Sequence, residues 1–295
     1  MMKRARRWWA PVAAIGAIIG LVLPGIVLHI GAELVEPMRG FKRSIPEYPP
    51  FNAISLASKS GSQLQGWFAR REGRAGGVVL LHGVRSDRHS MLGRARFLYD
   101  ANFSVLLLDL QAHGESEGER ITFGYLESAD ARSGVEFLRQ ELPGEPVAAI
   151  GSSLGGAACV LGRTPIQVDA LVLEAVYPDL HQAVKNRLQL HLGPAGAWLA
   201  PLLTLQIRPR MGIDVNDLRP VDKIANIQAP VFIVAGALDR RTTVADSQRL
   251  FDAAPEPKQL WIIPGARHED LHRYAGTEYE DRILQFLQLH MSRTS

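Results

Sequence analysis

Residues 147–161 have the sequence VAAIGSSLGGAACVL. Four apolar residues lead into Gly-Ser-Ser-Leu-Gly at positions 151–155, and a run of small residues suited to a helix follows. In a G-x-S-x-G motif the central serine occupies a sharp turn between a strand and a helix. Glycine two positions to either side, here Gly151 and Gly155, lets the two elements approach without Cβ clashes. The stretch therefore predicts a strand–turn–helix unit with Ser153 at the turn.

Short apolar runs alternate with longer amphipathic stretches on both sides of this unit. That alternation predicts an α/β fold, with a largely parallel sheet covered by helices. Strands are expected at residues 52–58, 63–69, 77–81, 103–109, 147–151, 170–174, 231–236 and 259–263. Helices are expected at residues 90–101, 122–141, 153–163, 244–254 and 272–290. The longer interval 178–229, interrupted by Pro194 and Pro201, predicts a small cap insertion over the sheet.

The composition is that of a chain able to bury a globular core, with 46% hydrophobic and 21% charged residues among 295. The formal net charge of +3 is unevenly distributed: residues 1–45 hold seven Lys or Arg against two Glu, so the remainder is mildly acidic. We therefore expect no nucleic-acid partner. The single cysteine, Cys159, has no partner for a disulfide or a zinc site.

The amino terminus is strongly apolar, since no Asp, Glu, Lys or Arg occurs from Trp8 to Ala32. These 25 residues are enough to span a hydrocarbon core. A cleaved signal peptide and a buried core helix are the alternatives, but the apolar stretch is long for the first and apolar on all sides for the second. We expect an anchor at residues 1–35, a Pro-rich linker at 36–50, and one catalytic domain at 51–295.

The charges around this segment predict its orientation. Lys3, Arg4, Arg6 and Arg7 precede it and favour the cytoplasmic side. The expected protein is thus a single-pass membrane protein with its amino terminus in the cytoplasm and its catalytic domain on the periplasmic or extracellular face. Arg39, Lys42 and Arg43 follow the segment and oppose this orientation.

Three residues that follow predicted strands suggest a nucleophile, an acid and a base. Ser153, Asp239 and His268 occur in the order Ser, Asp, His that a strand-end serine site of this kind uses. Serine needs a base to take its proton, and the base needs a carboxylate to orient it. Glu174, at the end of another predicted strand, is a rival for the acid, and His272 is an alternative histidine.

A tetrahedral intermediate also needs two N–H donors for its oxyanion. The amide of Leu154, directly after the nucleophile, is one candidate, and the amide of Val84 in the loop after residues 77–81 is the other. His82 in that loop is expected to be a hydrogen-bonding structural residue. Arg85 or Arg88 could meet an anionic group of a substrate, although solvated loop arginines are commoner.

Several longer stretches resemble the α/β-hydrolase superfamily over about residues 50–290. They are HGVRSD (82–87), LDLQAHGESEGERITFGYLESAD (108–130), GSSLGG (151–156), GALD (236–239) and GARHED (265–270). More narrowly, they are similar to bacterial hydrolases related to serine aminopeptidases and Xaa-Pro peptidase-like enzymes. The resemblance implies an eight-stranded, mostly parallel sheet, a Ser153–Asp239–His268 triad, no cofactor, and a structural loop at residues 109–116. Gln111 departs from the basic residue common in relatives.

The sequence thus predicts a membrane-anchored serine hydrolase. Its substrate would be a small acyl ester, a thioester or a peptide, because one catalytic machinery serves all of these. A peptidase that acts on peptide N-termini remains an alternative and would need an acidic group in the cap, such as Asp179, Asp214 or Asp217. A non-catalytic, membrane-tethered binding protein on the same fold is an alternative from another class. A nucleotide-binding protein is disfavoured, because no phosphate-binding glycine motif follows any predicted strand.

Overall fold

The computed structural model describes residues 24–40, 42–72 and 75–291. Ten strands occur in these ranges, and eight of them form one sheet. The strands are β1 (Met38–Arg39), β2 (Asn52–Ala57), β3 (Gln63–Ala69), β4 (Gly77–Leu81), β5 (Ser104–Leu108), β6 (His113–Gly114), β7 (Val147–Ser152), β8 (Ala170–Glu174), β9 (Val231–Gly236) and β10 (Lys258–Ile263).

The large sheet has the strand order β10-β9-β8-β7-β4-β5-β3-β2. Neighbouring strands from β10 to β5 are all parallel, whereas β3 is antiparallel to both β5 and β2. The central strands are completely buried, as their near-continuous apolar sequences require of a sheet covered on both faces. The predicted mostly parallel eight-stranded sheet is confirmed.

Helices cover both faces of this sheet. In the described ranges they are α1 (residues 24–35), α2 (Leu92–Asp100), α3 (Glu127–Glu141), α4 (Leu154–Val160), α5 (Leu180–Leu192), α6 (Ala200–Thr204), α7 (Ile207–Met211), α8 (Pro220–Lys223), α9 (Val244–Ala253), α10 (Leu271–Ala275) and α11 (Thr277–Met291). One apolar core packs α3, α4 and α9 against the sheet, and a second packs α2 and α11 against the opposite face. Helices α5 to α8 lie between β8 and β9 in the chain, within the predicted cap interval.

Two of the predicted helices have different bounds in the structure. Helix α3 begins at Glu127 rather than at residue 122, because Phe123 and Gly124 both have positive φ and the Glu127 carboxylate accepts hydrogen bonds from the Thr122 and Gly124 amides. The helix expected at residues 272–290 is divided at Gly276, whose φ of 55° interrupts the helical backbone.

The amino-terminal segment packs against the rest of the chain. Gln206 of the α6–α7 region donates a 3.0 Å hydrogen bond to the Val27 carbonyl in α1. After α1, strand β1 pairs in parallel with β6, so part of the predicted linker at residues 36–50 is bound to the domain. This two-residue pairing was not predicted.

Most of the predicted membrane span, Trp8 to Ala32, lies outside the described residues. Within residues 24–40, 42–72 and 75–291, no helix is both long enough and apolar enough to cross a bilayer.

Candidate active site

Ser153 lies at the turn between β7 and α4. Its backbone has φ of 48° and ψ of −104°, a conformation that costs a non-glycine residue about 1–3 kcal/mol. The Ser153 amide donates a 2.7 Å hydrogen bond to the Glu174 carbonyl at the end of β8, which fixes the turn to the neighbouring strand. Strain held in this way is characteristic of a functional turn.

The glycines on either side of the serine allow close backbone contacts. A Cβ on Gly155 would lie 2.4 Å from the Leu81 carbonyl oxygen, and one on Gly151 would lie 2.5 Å from backbone atoms of Gly155 and Gly156. The Gly155 amide also donates to the His82 carbonyl at 3.1 Å. Helix α4 therefore begins directly against the end of β4, and no other residue type fits at these two positions.

Asp239 and His268 form a hydrogen-bonded pair at the ends of β9 and β10. Nδ1 of His268 lies 2.7 Å from Oδ2 of Asp239. The other carboxylate oxygen accepts backbone hydrogen bonds from Arg241 at 2.7 Å and Thr242 at 2.9 Å, so the carboxylate is held in one orientation. Because a carboxylate only accepts, Nδ1 carries the hydrogen and Nε2 of His268 is left with a free lone pair.

Glu174, the rival acid, is engaged elsewhere. Its two carboxylate oxygens bind the Arg94 guanidinium at 2.8 and 2.7 Å, and it accepts a further hydrogen bond from the Tyr279 hydroxyl. Arg94 also pairs with Asp270 at 2.9 Å. The alternative histidine, His272, contacts Glu280. Neither Glu174 nor His272 is paired with His268 or Asp239.

The loop after β4 carries the second predicted donor, the amide of Val84, a residue that lines the same cavity as Ser153. Neither the Val84 amide nor the Leu154 amide donates to an acceptor in the described part of the chain. Two buried histidines hold this loop in place. His82 accepts from the Leu110 amide at 3.1 Å, and Nε2 of His113 accepts from the Arg85 amide at 3.3 Å.

The loop at residues 109–116 is structural, as the resemblance implies. Asp109 accepts from the Arg88 amide at 2.7 Å and from the Glu115 amide at 2.9 Å, and it pairs with the Arg88 side chain. Gln111, the departure from the relatives' pattern, is buried and donates 2.8 Å hydrogen bonds to the Arg120 carbonyl and the Glu127 carboxylate.

Free energies of unfolding are expected to fall on acidification because of the two loop histidines. Burial lowers the pKa of both His82 and His113 to about 4, so between that pH and about 6.5 only the unfolded chain binds these protons. Asp130 opposes them, because burial raises its pKa to about 6 and the folded chain binds that proton first. Burial also raises the pKa of Asp109, which opposes the histidines in the same way. The net fall between about pH 7 and pH 5 should therefore be smaller than the two histidines alone would give.

Urea unfolding at several pH values measures this loss. His113→Gln removes one titrating group, so its unfolding free energy should depend less steeply on pH than that of the unchanged chain. Equal slopes for the two proteins would contradict the assignment.

A cavity of about 380 Å³ lies between the serine turn, the loop after β4 and His268. Ser153, Leu154, Val84 and His268 all line it, so four of the predicted site residues meet at one place. No hydrogen bond connects Ser153 to His268 in the described structure, a separation common in ligand-free sites that tighten when substrate binds. No group of three or more His, Cys, Asp and Glu residues in the described ranges is arranged to hold a metal ion.

Much of the cavity wall was not predicted from the sequence. Helix α5 contributes one face, at the helical spacing of residues 180, 183, 184, 187, 188 and 191. Ile30 and Leu34 of α1 form another part of the wall, and Arg241 lies beside Thr242 near the triad loop. The spacing along α5 was visible in the sequence, but nothing there indicated which partner this face contacts.

Comparison with known proteins agrees with the fold. A family model described as "Serine aminopeptidase, S33" matches residues 73–220, which include Ser153 but end before Asp239 and His268. The Pyrococcus furiosus esterase Pf2001 has a TM-score of 0.70 at 22% identity, covering 88% of this chain and 98% of that one. These observations define the chain as an α/β hydrolase.

Relatives that match nearly the whole sequence specify the family more closely. The chain is 30% identical over 280 residues to the uncharacterized protein Rv2307c of Mycobacterium tuberculosis, covering 92% of this chain and 93% of the relative. It is 24% identical to the "Alpha/beta hydrolase domain-containing protein WAV2" of Arabidopsis thaliana, covering 91% and 92%. The chain belongs to the serine aminopeptidase S33 family of hydrolases.

Proposed function

We propose that this chain is a membrane-anchored serine hydrolase that cleaves a carboxylic ester, or a related thioester or amide, through an acyl-enzyme. The observation that carries the proposal is the pairing of Asp239 with His268 beside the same cavity as the strained Ser153. Similarity to an esterase fold supports it as well.

Each group has one chemical role in the proposed reaction. Ser153 Oγ attacks the substrate carbonyl carbon while Nε2 of His268 takes the hydroxyl proton. The negative oxygen of the tetrahedral intermediate accepts hydrogen bonds from the Val84 and Leu154 amides. The intermediate then collapses, and the leaving group departs with the proton from His268. Water repeats these steps on the acyl-enzyme and releases the acid.

An acyl ester suits the cavity better than a peptide with a free amino terminus. Arg85, Arg187 and Arg241 line the cavity, so a substrate ammonium group would be repelled. None of the acids considered for the peptidase alternative lines the cavity. Asp179 caps α5 and pairs with Arg249, Asp214 caps a short turn, and Asp217 is exposed. The family description nevertheless keeps the peptidase as the second candidate.

Activity profiling tests the proposal. The full chain in a neutral detergent should react with a fluorophosphonate probe and hydrolyse 4-nitrophenyl acyl esters faster than aminoacyl 4-nitroanilides. Faster cleavage of the anilides would favour the peptidase. No labelling and no hydrolysis would favour the non-catalytic binding protein.

We also propose that residues 1–35 anchor the chain, with the amino terminus in the cytoplasm and the catalytic domain outside. The charge-free stretch Trp8 to Ala32 supports this proposal. Exposed apolar side chains on α1 and on the contacting cap region support a nearby bilayer: they are Ile26, Leu28, Trp198, Leu202 and Leu205, with Trp198 85% exposed.

Membrane fractionation tests the anchor. The full chain should stay with membranes through a high-salt and alkaline carbonate wash, because apolar insertion does not depend on charge. A chain lacking residues 2–23 should be released by that wash. Release of the full chain would refute the anchor, and protection of the hydrolase domain from protease added to intact spheroplasts would refute the orientation.

A further inference from the structure

A cluster of three arginines lies in the wall of the cavity. Arg85 comes from the loop after β4, Arg187 from α5 and Arg241 from the loop that carries Asp239. Asn186 joins the last two elements, since its side-chain amide donates to the Arg241 carbonyl at 3.0 Å and to Asp246 at 2.7 Å. This contact holds the Arg241 backbone against α5, and the Arg187 and Arg241 side chains line the same cavity.

Arg187 and Arg241 lack compensating negative charge in the cavity, whereas Arg85 also lines an adjoining pocket with Glu33 and Glu36. Within residues 24–40, 42–72 and 75–291, none of the three forms an ion pair, and no Asp or Glu lines the cavity. Arg85 donates to a single neutral acceptor, the Glu33 carbonyl. Burial, together with the charges of Arg241 and Arg85, lowers the pKa of Arg187.

The rest of the cavity wall is predominantly apolar. Its apolar members come from α1, α5 and α6: they are Ile30, Leu34, Leu180, Ala183, Val184, Leu188, Leu192 and Leu203. Arg187 and Arg241 are half-buried, whereas Arg85 is exposed at the rim. Half-buried cations beside such a surface lose hydration that an anion can replace. Guanidinium groups bind phosphate and carboxylate oxygens through paired N–H donors, so an oxyanion is the matching group.

We propose that Arg85, Arg187 and Arg241 form an anion subsite, which holds the phosphate or carboxylate group of an acyl ester while its hydrocarbon part occupies the apolar wall. That the bound ester is a substrate rests on the proposed hydrolase function. Binding of the anion to the three arginines does not depend on that function. The proposed substrate is therefore an anionic amphiphile rather than a neutral ester or a compound with a free amino group.

Calorimetric binding of octyl phosphate to the full chain, in a neutral detergent, tests the subsite. Octyl phosphate has no carbonyl carbon for Ser153 to attack, so binding is measured without turnover. It should bind at least ~10-fold more tightly than octyl glucoside, which has the same chain and no charge, as expected where charged groups are paired away from water. Inorganic phosphate should bind far more weakly than octyl phosphate, because it leaves the apolar wall empty.

Variants on α5 provide a matched comparison. Arg187→Gln should remove most of the preference for octyl phosphate, Arg241→Gln should reduce it, and Arg187→Lys should retain part of it. Lys185→Gln removes a positive charge from the same helix outside the cavity lining and should leave the preference intact. Equal binding by Arg187→Gln and Lys185→Gln, or equal affinity for octyl phosphate and octyl glucoside, would overturn the proposal.

Two further results identify the anion and separate the proposals. Tighter binding of octyl phosphate than of nonanoate assigns the subsite to phosphate, and the reverse assigns it to carboxylate. If inorganic phosphate binds as tightly as octyl phosphate, the apolar wall does not contribute to binding, and the proposal of an amphiphilic ligand is refuted. If the chain binds octyl phosphate through Arg187 but hydrolyses no ester, the anion subsite is supported and the proposed hydrolase function is refuted. If the chain hydrolyses esters but does not prefer octyl phosphate to octyl glucoside, only the anion subsite is refuted.

Discussion

Ser153→Ala is expected to lower kcat/KM for an activated acyl ester by ~10⁴-fold or more, the usual consequence of removing the nucleophile of a serine triad. The physical reason is that the substituted chain has no hydroxyl for His268 to activate, so only binding and oxyanion stabilisation remain. Steady-state hydrolysis of a 4-nitrophenyl ester measures the loss. Fluorophosphonate labelling should disappear in the same variant.

Ser152→Ala is the matched control, because Ser152 lies in the same turn but is not part of the cavity lining. Its kcat/KM should remain within a few-fold of the unchanged chain. Circular dichroism of both variants separates a chemical loss from unfolding, and alanine at position 153 must adopt the same positive φ. Wild-type turnover by a folded Ser153→Ala protein would eliminate the proposed mechanism.

Much of this architecture could be predicted because buried parallel strands have a strong local signal. The runs GVVLL at Gly77–Leu81 and ALVLE at Ala170–Glu174 form strands with the expected bounds. Parallel strands bring their carboxyl ends to one edge, so residues that follow them, such as Asp239 and His268, meet although 29 positions separate them in the chain.

The parts that were missed depend on contacts between distant segments. The pairing of Met38–Arg39 with His113–Gly114 is too short to produce a pattern in the sequence. The arginine cluster needs three elements to meet, and Arg187 in isolation is an ordinary helix residue. Only the assembled cavity shows that its side chain lines the same wall as Arg241 and has no carboxylate partner among the described residues.

The second large effect is expected at the acid. Asp239→Asn should lower kcat by ~10⁴-fold with little loss of stability. The asparagine carbonyl oxygen can still accept from the Arg241 and Thr242 amides, which keeps the side chain in place. Its NH₂ group then faces Nδ1 of His268 and donates to it, so the hydrogen moves to Nε2 and the base can no longer take a proton from Ser153. Active-site titration with turnover kinetics measures kcat per folded molecule.

Glu174→Gln is the informative comparison, since it changes the rival acid by the same one-atom replacement. It removes one of the two carboxylates paired with the buried Arg94 and leaves Asp270. The unfolding free energy should therefore fall, by less than the about 3–5 kcal/mol typical of a buried charge left fully unpaired. The loss should therefore appear in denaturant unfolding, while the folded fraction keeps most of its turnover because the Asp239–His268 pair is intact. If Glu174→Gln were inactive per folded molecule and Asp239→Asn fully active, the acid would be Glu174. In that case His268 would have to leave Asp239 for a carboxylate that already binds Arg94 and Tyr279.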